Sequence, residues 1–242
     1  MNLEKVVDKN IAEPVFQNLR FERKFVYTAS QVDDIIENTV LSNSFGFSEI
    51  YERRSVNNIY LDDQSFSFYT QNVSGDHIRE KYRFRWYGDD FSEINNPTLE
   101  IKKKFGDVGD KVSLNLNNFN LNIEKCAVDK VYETLVKEIA TMDAPQFFNK
   151  LQILTPTLYN SYERRYFLSD CGKFRITIDY NMLFYNPQFK NYKTSEMGLT
   201  DIVLELKYKR EYDDESRQLS QEIDCRLSKN SKYVRGIENI NS

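Results

Sequence analysis

The sequence has little of what marks several common enzyme classes. Its 242 residues contain a single histidine, His77, and eight glycines that form no G-x-x-x-x-G-K-[ST] string. A phosphohistidine enzyme needs a histidine held in a catalytic core, whereas His77 stands in the loop-like segment NVSGDHIRE. These shortages argue against a phosphohistidine kinase and against a P-loop nucleotidase.

Cysteines and long apolar runs are also scarce. The three cysteines, Cys126, Cys171 and Cys225, are far apart and show neither a CxxC pair nor zinc-ligand spacing. That usage is typical of a reduced intracellular compartment and indicates no metal–thiolate site. The sequence has no run of eighteen apolar residues, and its N-terminal segment carries charges throughout. We therefore expect a soluble, cytoplasmic protein with no membrane insertion in this chain.

The chain also lacks a basic excess. Its formal net charge is −4 and its pI is near 5.3, whereas general nucleic-acid coat proteins usually carry positive charge. We predict no nucleic-acid partner, so any anion site must be local. The length suits one domain over residues 1–242, with residues 1–18 as a flexible or helical N-terminal segment.

The sequence is rich in alternating polar and apolar residues, the pattern of β-strands with one buried face. This alternation predicts seven strands, at 20–27, 55–62, 79–88, 98–105, 159–167, 173–180 and 201–209. Helical spacing and capping residues predict helices near 30–40, 128–140 and 214–226. The predicted fold is therefore α+β, built on an antiparallel barrel or a strongly curved sheet with helices attached.

Charged residues share one face of each predicted strand, as in LEIKKK (99–104) and LELKYK (204–209), because successive side chains point to opposite faces. A solvated sheet face is the ordinary reading of one such strand. Across all strands, however, ten cations share these positions with four acids: Lys24, Lys81, Arg83, Arg85, Lys102, Lys104, Arg164, Arg175, Lys207 and Lys209 against Glu22, Glu100, Asp179 and Glu205. Like charges on one face repel. We therefore predict a closed antiparallel β-barrel of about eight strands, with the charged faces turned inward around a tunnel for a polyanion and helices packed outside.

The acids in this field suggest a metal. Glu22, Glu100 and Glu205 each precede a lysine by two positions and so share its face. Oxygen ligands suit Mg²⁺ or Mn²⁺, which bind through one or two carboxylates together with the phosphates they neutralise. For Glu22 and Glu100 the roles of metal ligand and internal counter-ion both stay open, and for Glu205 we favour the metal.

A run of strings carries a family resemblance across nearly the whole chain: RFERKF, VNNIYLDD, KYRFRWYG, LEIKKK, YERRYF, RITID, LELKYK and SKYVRG. In this order they resemble the VTC domain, the polyphosphate polymerase domain of the vacuolar transporter chaperone complex, within the CYTH or triphosphate tunnel metalloenzyme superfamily. The resemblance implies a stand-alone form, without the phosphate-sensing domain and membrane helices of eukaryotic members. Arg20 stands where the superfamily's ExExK motif has its first glutamate, which argues against a metal site built like that of the tripolyphosphatases and is consistent with the polymerase branch.

The resemblance also implies roles for individual residues. The family's basic tunnel residues match Lys24, Arg83, Arg85, Lys102, Arg164 and Arg175, its metal-binding glutamate matches Glu205, and further contacts match Lys111, Tyr162, Lys229, Ser231 and Lys232. Together with the strand pattern, this predicts catalytic roles for Lys24, Arg83, Arg85, Lys102, Arg164, Arg175 and Lys207, substrate contacts for Lys81, Lys104, Lys111, Tyr162, Lys209, Lys229, Ser231 and Lys232, and metal contacts for Glu205, Glu22 and Glu100.

Three functions use such a basic site. The first is transfer of the γ-phosphate of ATP onto inorganic polyphosphate, assisted by Mn²⁺ or Mg²⁺. The second is hydrolysis of tripolyphosphate or a nucleoside triphosphate, and the third is polyphosphate binding without catalysis. Glu205 favours an enzyme over a binding module, and we predict the ATP:polyphosphate phosphotransferase. The sequence indicates no particular protein partner.

Overall fold

The structure is a computed structural model that describes residues 20–28, 30–106, 108–126, 128–142 and 144–241. The expectation for residues 1–18 lies outside these ranges, and so does the side chain of Arg20.

Strands dominate the described residues. They are β1 (Arg20–Tyr27), β2 (Phe47–Asp62), β3 (Ile78–Tyr87), β4 (Glu93–Asn95), β5 (Thr98–Phe105), β6 (Val108–Asn115), β7 (Asn120–Asn122), β8 (Thr155–Ser169), β9 (Arg175–Tyr185), β10 (Met197–Leu199) and β11 (Ile202–Lys209). All seven predicted strands are present, and β2 and β8 are longer than predicted. Alternation missed the three-residue strands β4, β7 and β10, and it missed β6, whose sequence VGDKVSLN has Gly109 and Asp110, residues of low strand propensity, directly after its first valine.

Helices connect and cover the strands. They are α1 (Val32–Ile35), which continues as a π-helix over Ile36–Leu41, α2 (Ser67–Ser74), α3 (Val128–Ala140), α4 (Pro145–Leu151), α5 (Asp213–Gln221) and α6 (Lys232–Ile240). Short 3₁₀ segments lie at Ile123–Lys125, Tyr192–Ser195 and Arg210–Tyr212. The helix predicted at 128–140 is confirmed as α3, where Val131, Leu135 and Ile139 are buried one turn apart. No described helix has both the length and the apolar character needed to cross a bilayer.

Nine of the strands form one antiparallel sheet in the order β10-β9-β11-β1-β6-β5-β3-β2-β8, and β8 pairs with β9 as well. The α+β antiparallel part of the prediction is confirmed, but the closed barrel is wrong. Between β1 and β6 the sheet has a single residue pair, Arg20 with Gly109. Because β6 begins at Val108, this register reaches the start of β6 before it reaches Glu22. Glu22 therefore has no residue of β6 to pair with. The result is a strongly curved sheet with a seam between β1 and β6 and with β10 as an edge strand.

The apolar faces of the curved sheet lie outside, under the helices. One buried cluster joins strand residues such as Ile59, Phe84 and Leu99 to Leu135 of α3. A second cluster, which includes Leu204, packs β9 and β11 against α1 and α5. Burying a side chain of this size contributes roughly 1.5–3 kcal/mol relative to leaving it exposed. The apolar residues of each strand therefore fix the opposite, charged face toward the inside of the curve.

Candidate active site

The inner face of the sheet lines a cavity of about 530 Å³. Eleven cationic side chains line it, and they are Lys24, Lys81, Arg83, Arg85, Lys102, Lys104, Lys111, Arg164, Arg175, Lys207 and Lys232. Among the side chains that the structure describes, the carboxylates in the lining are Glu22, Glu100 and Glu205, so positive charge exceeds negative charge there in a protein that is acidic overall. We call this space the basic cavity.

The structure brings together nearly all of the predicted site residues. All of them line the basic cavity except Lys209 and Lys229. The Lys209 side chain is 63% exposed and lies 3.8 Å from Glu211, and Lys229 is exposed in the segment before α6. The functional roles given to these residues remain predictions, because position alone does not test them.

Glu205 of β11 lies at the centre of the densest charge cluster. Four cations surround its buried carboxylate: Lys207 Nζ at 2.8 Å, Lys24 Nζ at 3.1 Å, Arg164 Nη2 at 3.6 Å and Lys232 Nζ at 3.7 Å. Burial alone would raise the pKa of Glu205, but these cations outweigh it and hold the pKa well below the usual range. Glu205 is therefore ionised and acts as the shared counter-ion of four strand and helix cations.

Glu100 of β5 gathers a second group of cations. Arg83 donates from Nε to Oε2 of Glu100 at 2.8 Å, Arg85 Nη1 lies 3.6 Å from the same oxygen, and Lys111 Nζ lies 2.8 Å from Oε1. Arg85 also donates to Tyr162 Oη at 3.0 Å. Burial would raise the pKa of Glu100, but the neighbouring guanidinium groups lower it further than burial raises it.

Glu22 of β1 completes the set of acids by joining two lysines. Its Oε1 lies 3.0 Å from Lys24 Nζ and its Oε2 lies 2.7 Å from Lys102 Nζ. Burial raises the pKa of Glu22, but the lysines reverse the shift, so the pKa lies below the usual range. The twin motifs of the sequence therefore meet here, because the lysines of LEIKKK and LELKYK, Lys102 and Lys207, bind glutamates on the same cavity wall.

Asp179 of β9 forms the fully buried floor beneath this cluster. Both of its carboxylate oxygens accept hydrogen bonds from Arg164, and Lys232 at the start of α6 donates to Oδ2. Burial would raise the pKa of Asp179, but Arg164 and Lys232 together keep it lowered. Asp179 thus fixes two cavity cations from behind.

Three cavity cations lack this kind of support. Within the described residues, no carboxylate forms an ion pair with Lys81, Lys104 or Arg175. The Lys81 ammonium donates to Ser231 Oγ at 2.8 Å. Burial lowers the pKa of Lys81 well below the usual lysine value, and the nearby ammonium groups of Lys24 and Lys102 lower it further. These three side chains are therefore available to an anionic ligand.

The predicted metal ligands do not fit a resident divalent ion in this arrangement. The described side chains include no group of three or more His, Cys, Asp or Glu suited to hold a metal. Every carboxylate oxygen of Glu22, Glu100 and Glu205 already lies against a lysine or arginine. A cation placed among these ammonium and guanidinium groups would be repelled. The role of counter-ion left open for Glu22 and Glu100 matches these contacts.

Sequence reasoning found Tyr162 but missed other tyrosines of the lining, which are Tyr60, Tyr87, Tyr166 and Tyr233. The signal was present in the strand parity, since Tyr87 is two residues after Arg85 and Tyr166 is two residues after Arg164. The alternation of charged residues alone does not identify these tyrosines, although they lie on the same faces.

Comparisons with known proteins identify the family and the fold of this chain. Residues 19–241 match the family model described as the VTC domain. A search of curated proteins found no match. Among solved structures, the PH1819 protein of Pyrococcus horikoshii OT3 has 15% sequence identity and a TM-score of 0.53, with 90% of this chain and 98% of that chain covered. A candidate adenylate cyclase (bh2851) of Bacillus halodurans has 14% identity and a TM-score of 0.53, with 90% and 97% covered. At these identities the structural likeness concerns the fold alone.

Proposed function

This chain belongs to the VTC domain family, and we propose that it transfers the γ-phosphate of ATP to the end of an inorganic polyphosphate chain held in the basic cavity. The family supports a role with polyphosphate. Polymerase activity, ATP as the donor and the assignment of individual residues are our proposal.

The observation that carries the proposal is the excess of cations in the cavity. The ion pairs described above leave Lys81, Lys104 and Arg175 without a carboxylate partner, and the cations greatly outnumber the three glutamates of the lining. Unpaired charges in a partly buried site raise the free energy of the ligand-free protein. A polyanion such as a phosphate chain relieves that repulsion and accepts charge-assisted hydrogen bonds from the same groups.

The reaction requires no protein nucleophile. A terminal phosphate oxygen of the polyphosphate chain attacks the γ-phosphorus of ATP, the bond from that phosphorus to the β,γ-bridging oxygen breaks, and ADP leaves with the electron pair. Because the attacking oxygen is already largely ionised near neutral pH, catalysis reduces to alignment and charge neutralisation. Arginines such as Arg83, Arg85 and Arg164 supply directed donors for the phosphoryl oxygens in this scheme.

A divalent ion enters this scheme as part of the metal–nucleotide substrate. Mg²⁺ or Mn²⁺ bound to ATP brings most of its ligands from phosphate and water. The substrate phosphates would also draw Lys24 and Lys207 away from Glu205, so the proposed contact between Glu205 and the metal belongs to the loaded site and not to the arrangement described here.

The test is product analysis with purified protein, ATP and either Mn²⁺ or Mg²⁺. The proposal expects ADP together with chains that grow longer with time on a polyacrylamide gel. ADP with free phosphate would indicate the hydrolase, and no turnover with retained polyphosphate binding would indicate the binding module. Arg164→Gln, which lies in the cavity, should abolish chain growth, whereas Lys137→Gln on the exposed side of α3 serves as the charge-matched control.

A further inference from the structure

The inner face of the sheet continues past the basic cavity to an exposed rim. Along β2 and β3, Val56 pairs with Tyr87, and along β2 and β8, Arg54 pairs with Arg164. Residues that pair directly across an antiparallel ladder point to the same face. Arg54 and Val56 are two residues apart on β2 and so share a face. Arg54 and Tyr87 therefore extend the face that carries Arg164, and both lie at one mouth of the cavity.

Three tyrosine rings surround the guanidinium group of Arg54. Its Cζ lies 4.8 Å from the ring centroid of Tyr51, 5.8 Å from that of Tyr87 and 5.6 Å from that of Tyr166. We call Tyr51, Arg54, Tyr87 and Tyr166 the tyrosine rim. The rim is open to solvent, because Tyr51 and Tyr87 are 47% and 49% exposed. Two irregularities in the β2–β8 ladder, between Glu49 and Tyr51 and between Tyr51 and Arg54, create the local bend that groups the rings.

The tyrosine rim differs from the ordinary protein surface because its arginine, Arg54, forms no ion pair with a described carboxylate. Its neighbour Arg53 forms an ion pair with Glu163 at 3.0 Å. Among the residues that the structure describes, Arg54 forms no ion pair with a carboxylate, and its guanidinium group lies 4.8 to 5.8 Å from the centroids of three tyrosine rings. Exposed aromatic patches mark binding surfaces, and an arginine stacks on aromatic faces.

The rim and the cavity together match the two ends of a nucleotide. Arg164 lies 5.9 Å from the Tyr166 ring, so the rim adjoins the cations of the cavity directly. Bases stack on aromatic side chains and on arginine, while phosphates bind to lysine and arginine. Inorganic tripolyphosphate has no group for the rim, whereas a nucleoside triphosphate has a planar base attached to the same phosphate chain.

We propose that the tyrosine rim stacks the base of a nucleoside triphosphate, so that the nucleotide enters this mouth with its γ-phosphate leading into the basic cavity. This inference rests on the proposed function in taking a nucleotide as the donor. Stacking contacts the face of the base and not its edge, so the rim accepts purine nucleotides with little discrimination between adenine and guanine. The rim therefore selects nucleotides over inorganic phosphate chains without selecting a particular base.

The experiment compares two ligands on rim variants. Binding of the β,γ-imido analogue of ATP and of tripolyphosphate is measured by calorimetry for the wild type, Tyr87→Leu and Tyr166→Leu. We expect the analogue to bind about 5- to 150-fold more weakly to each variant, the range of one lost base–aromatic stack. Tripolyphosphate should bind within about 2-fold of the wild type, because the cavity cations are unchanged. The matched control is Tyr212→Leu, since Tyr212 also stacks with a cation, Lys173 at 4.7 Å, but lies away from the cavity.

Each outcome decides the inference. Equal weakening of both ligands would overturn it, since that pattern indicates a rim that only supports the fold, and so would unchanged binding of both. If Tyr166→Leu fails to fold, the more exposed Tyr87→Leu and Tyr51→Leu carry the same comparison. The measurement needs no turnover, so a protein that makes no polyphosphate but shows the selective loss of nucleotide binding would refute the polymerase and retain the rim. A wild type that binds tripolyphosphate but no nucleotide would overturn both the rim and ATP as the donor.

Discussion

The hydroxyl of Tyr233 donates a hydrogen bond to Oδ2 of Asp62 at 2.6 Å, deep beneath the basic cavity. The same carboxylate accepts the backbone N–H groups of Phe68 and Tyr69 at 3.0 and 2.9 Å, at the start of α2. Asp62 is fully buried and ends β2. The Asp62 carboxylate therefore connects the end of β2 to the first turn of α2 and to the first turn of α6. That turn of α6 also carries Lys232, which lines the cavity.

Asp62→Asn tests this connection. The amide keeps the size of the side chain but replaces one acceptor oxygen by an NH2 donor, and we expect the free energy of unfolding to fall by about 1–3 kcal/mol in urea denaturation. Tripolyphosphate should also bind more weakly, because Lys232 and Ser231 are positioned through Tyr233. Tyr233→Phe should reproduce the loss of affinity. Asp63→Asn is the matched control, since Asp63 accepts from the backbone of Ser65 and Ser67 without contacting α6. An equal loss of affinity in the control would contradict the positioning role of Asp62.

Arg83 and Arg175 should separate binding from folding. Arg83→Gln removes a partner of Glu100, whereas Arg175 has no carboxylate partner among the described residues. Both variants should lose affinity for tripolyphosphate by about 1.5–3 kcal/mol, the contribution of a charged hydrogen bond. In thermal unfolding without ligand, Arg83→Gln should melt at a lower temperature, and Arg175→Gln should melt at the same or a higher temperature. A lower melting temperature for Arg175→Gln would show that its charge is compensated within the fold.

Lys81 should couple ligand binding to proton uptake. Its pKa is lowered in the ligand-free fold, so the unfolded chain binds more protons and stability rises with pH between the folded pKa and the usual 10.5. A polyanion beside Lys81 raises that pKa again, and binding takes up a proton. Calorimetry of tripolyphosphate binding near pH 8, in buffers of different ionisation enthalpy, measures the number of protons. Lys81→Arg should take up fewer protons than the wild type, since arginine stays charged. Lys137→Arg is the control, and identical uptake by wild type and Lys81→Arg would rule out Lys81 as the group that titrates.

Glu205→Gln distinguishes a counter-ion from a metal ligand. Replacing the shared carboxylate leaves four cations around a neutral amide, so the free energy of unfolding without ligand should fall by about 3–5 kcal/mol. Saturating tripolyphosphate should restore most of the loss. If Glu205 also binds the metal, the concentration of Mn²⁺ that gives half-maximal turnover should rise. An unchanged Mn²⁺ requirement, together with the ligand-reversible loss of stability, would leave Glu205 as a counter-ion only.

Strand parity explains why so much of the cavity could be predicted. In β3, Phe84 and Trp86 are buried outside while Arg83 and Arg85 point inside, as their alternation requires. A one-residue shift of register would bury the arginines in an apolar layer, so the pattern leaves one arrangement.

The remaining features depend on contacts between strands that are distant in sequence. The pairing of Lys102 with Glu22 joins β5 to β1, and no local pattern specifies that the two side chains meet. The seam between β1 and β6 depends on where the β5–β6 turn falls, and Gly109 and its neighbours gave no strand signal. Lys209 and Lys229 carry the same charge as the cavity cations, but the end of β11 and the segment before α6 place them outside the lining.

The seam between β1 and β6 also makes the cavity wall mechanically uneven. Separating these two strands breaks one residue pair, Arg20 with Gly109, whereas separating β5 from β6 breaks eight. We therefore expect thermal fluctuations of the cavity wall to be largest along this line, where widening separates the fewest residue pairs. The wall acts as a curved sheet with one compliant joint, and under the proposed function a bulkier segment of phosphate chain would be accommodated by strain at that joint while the other ladders keep their register.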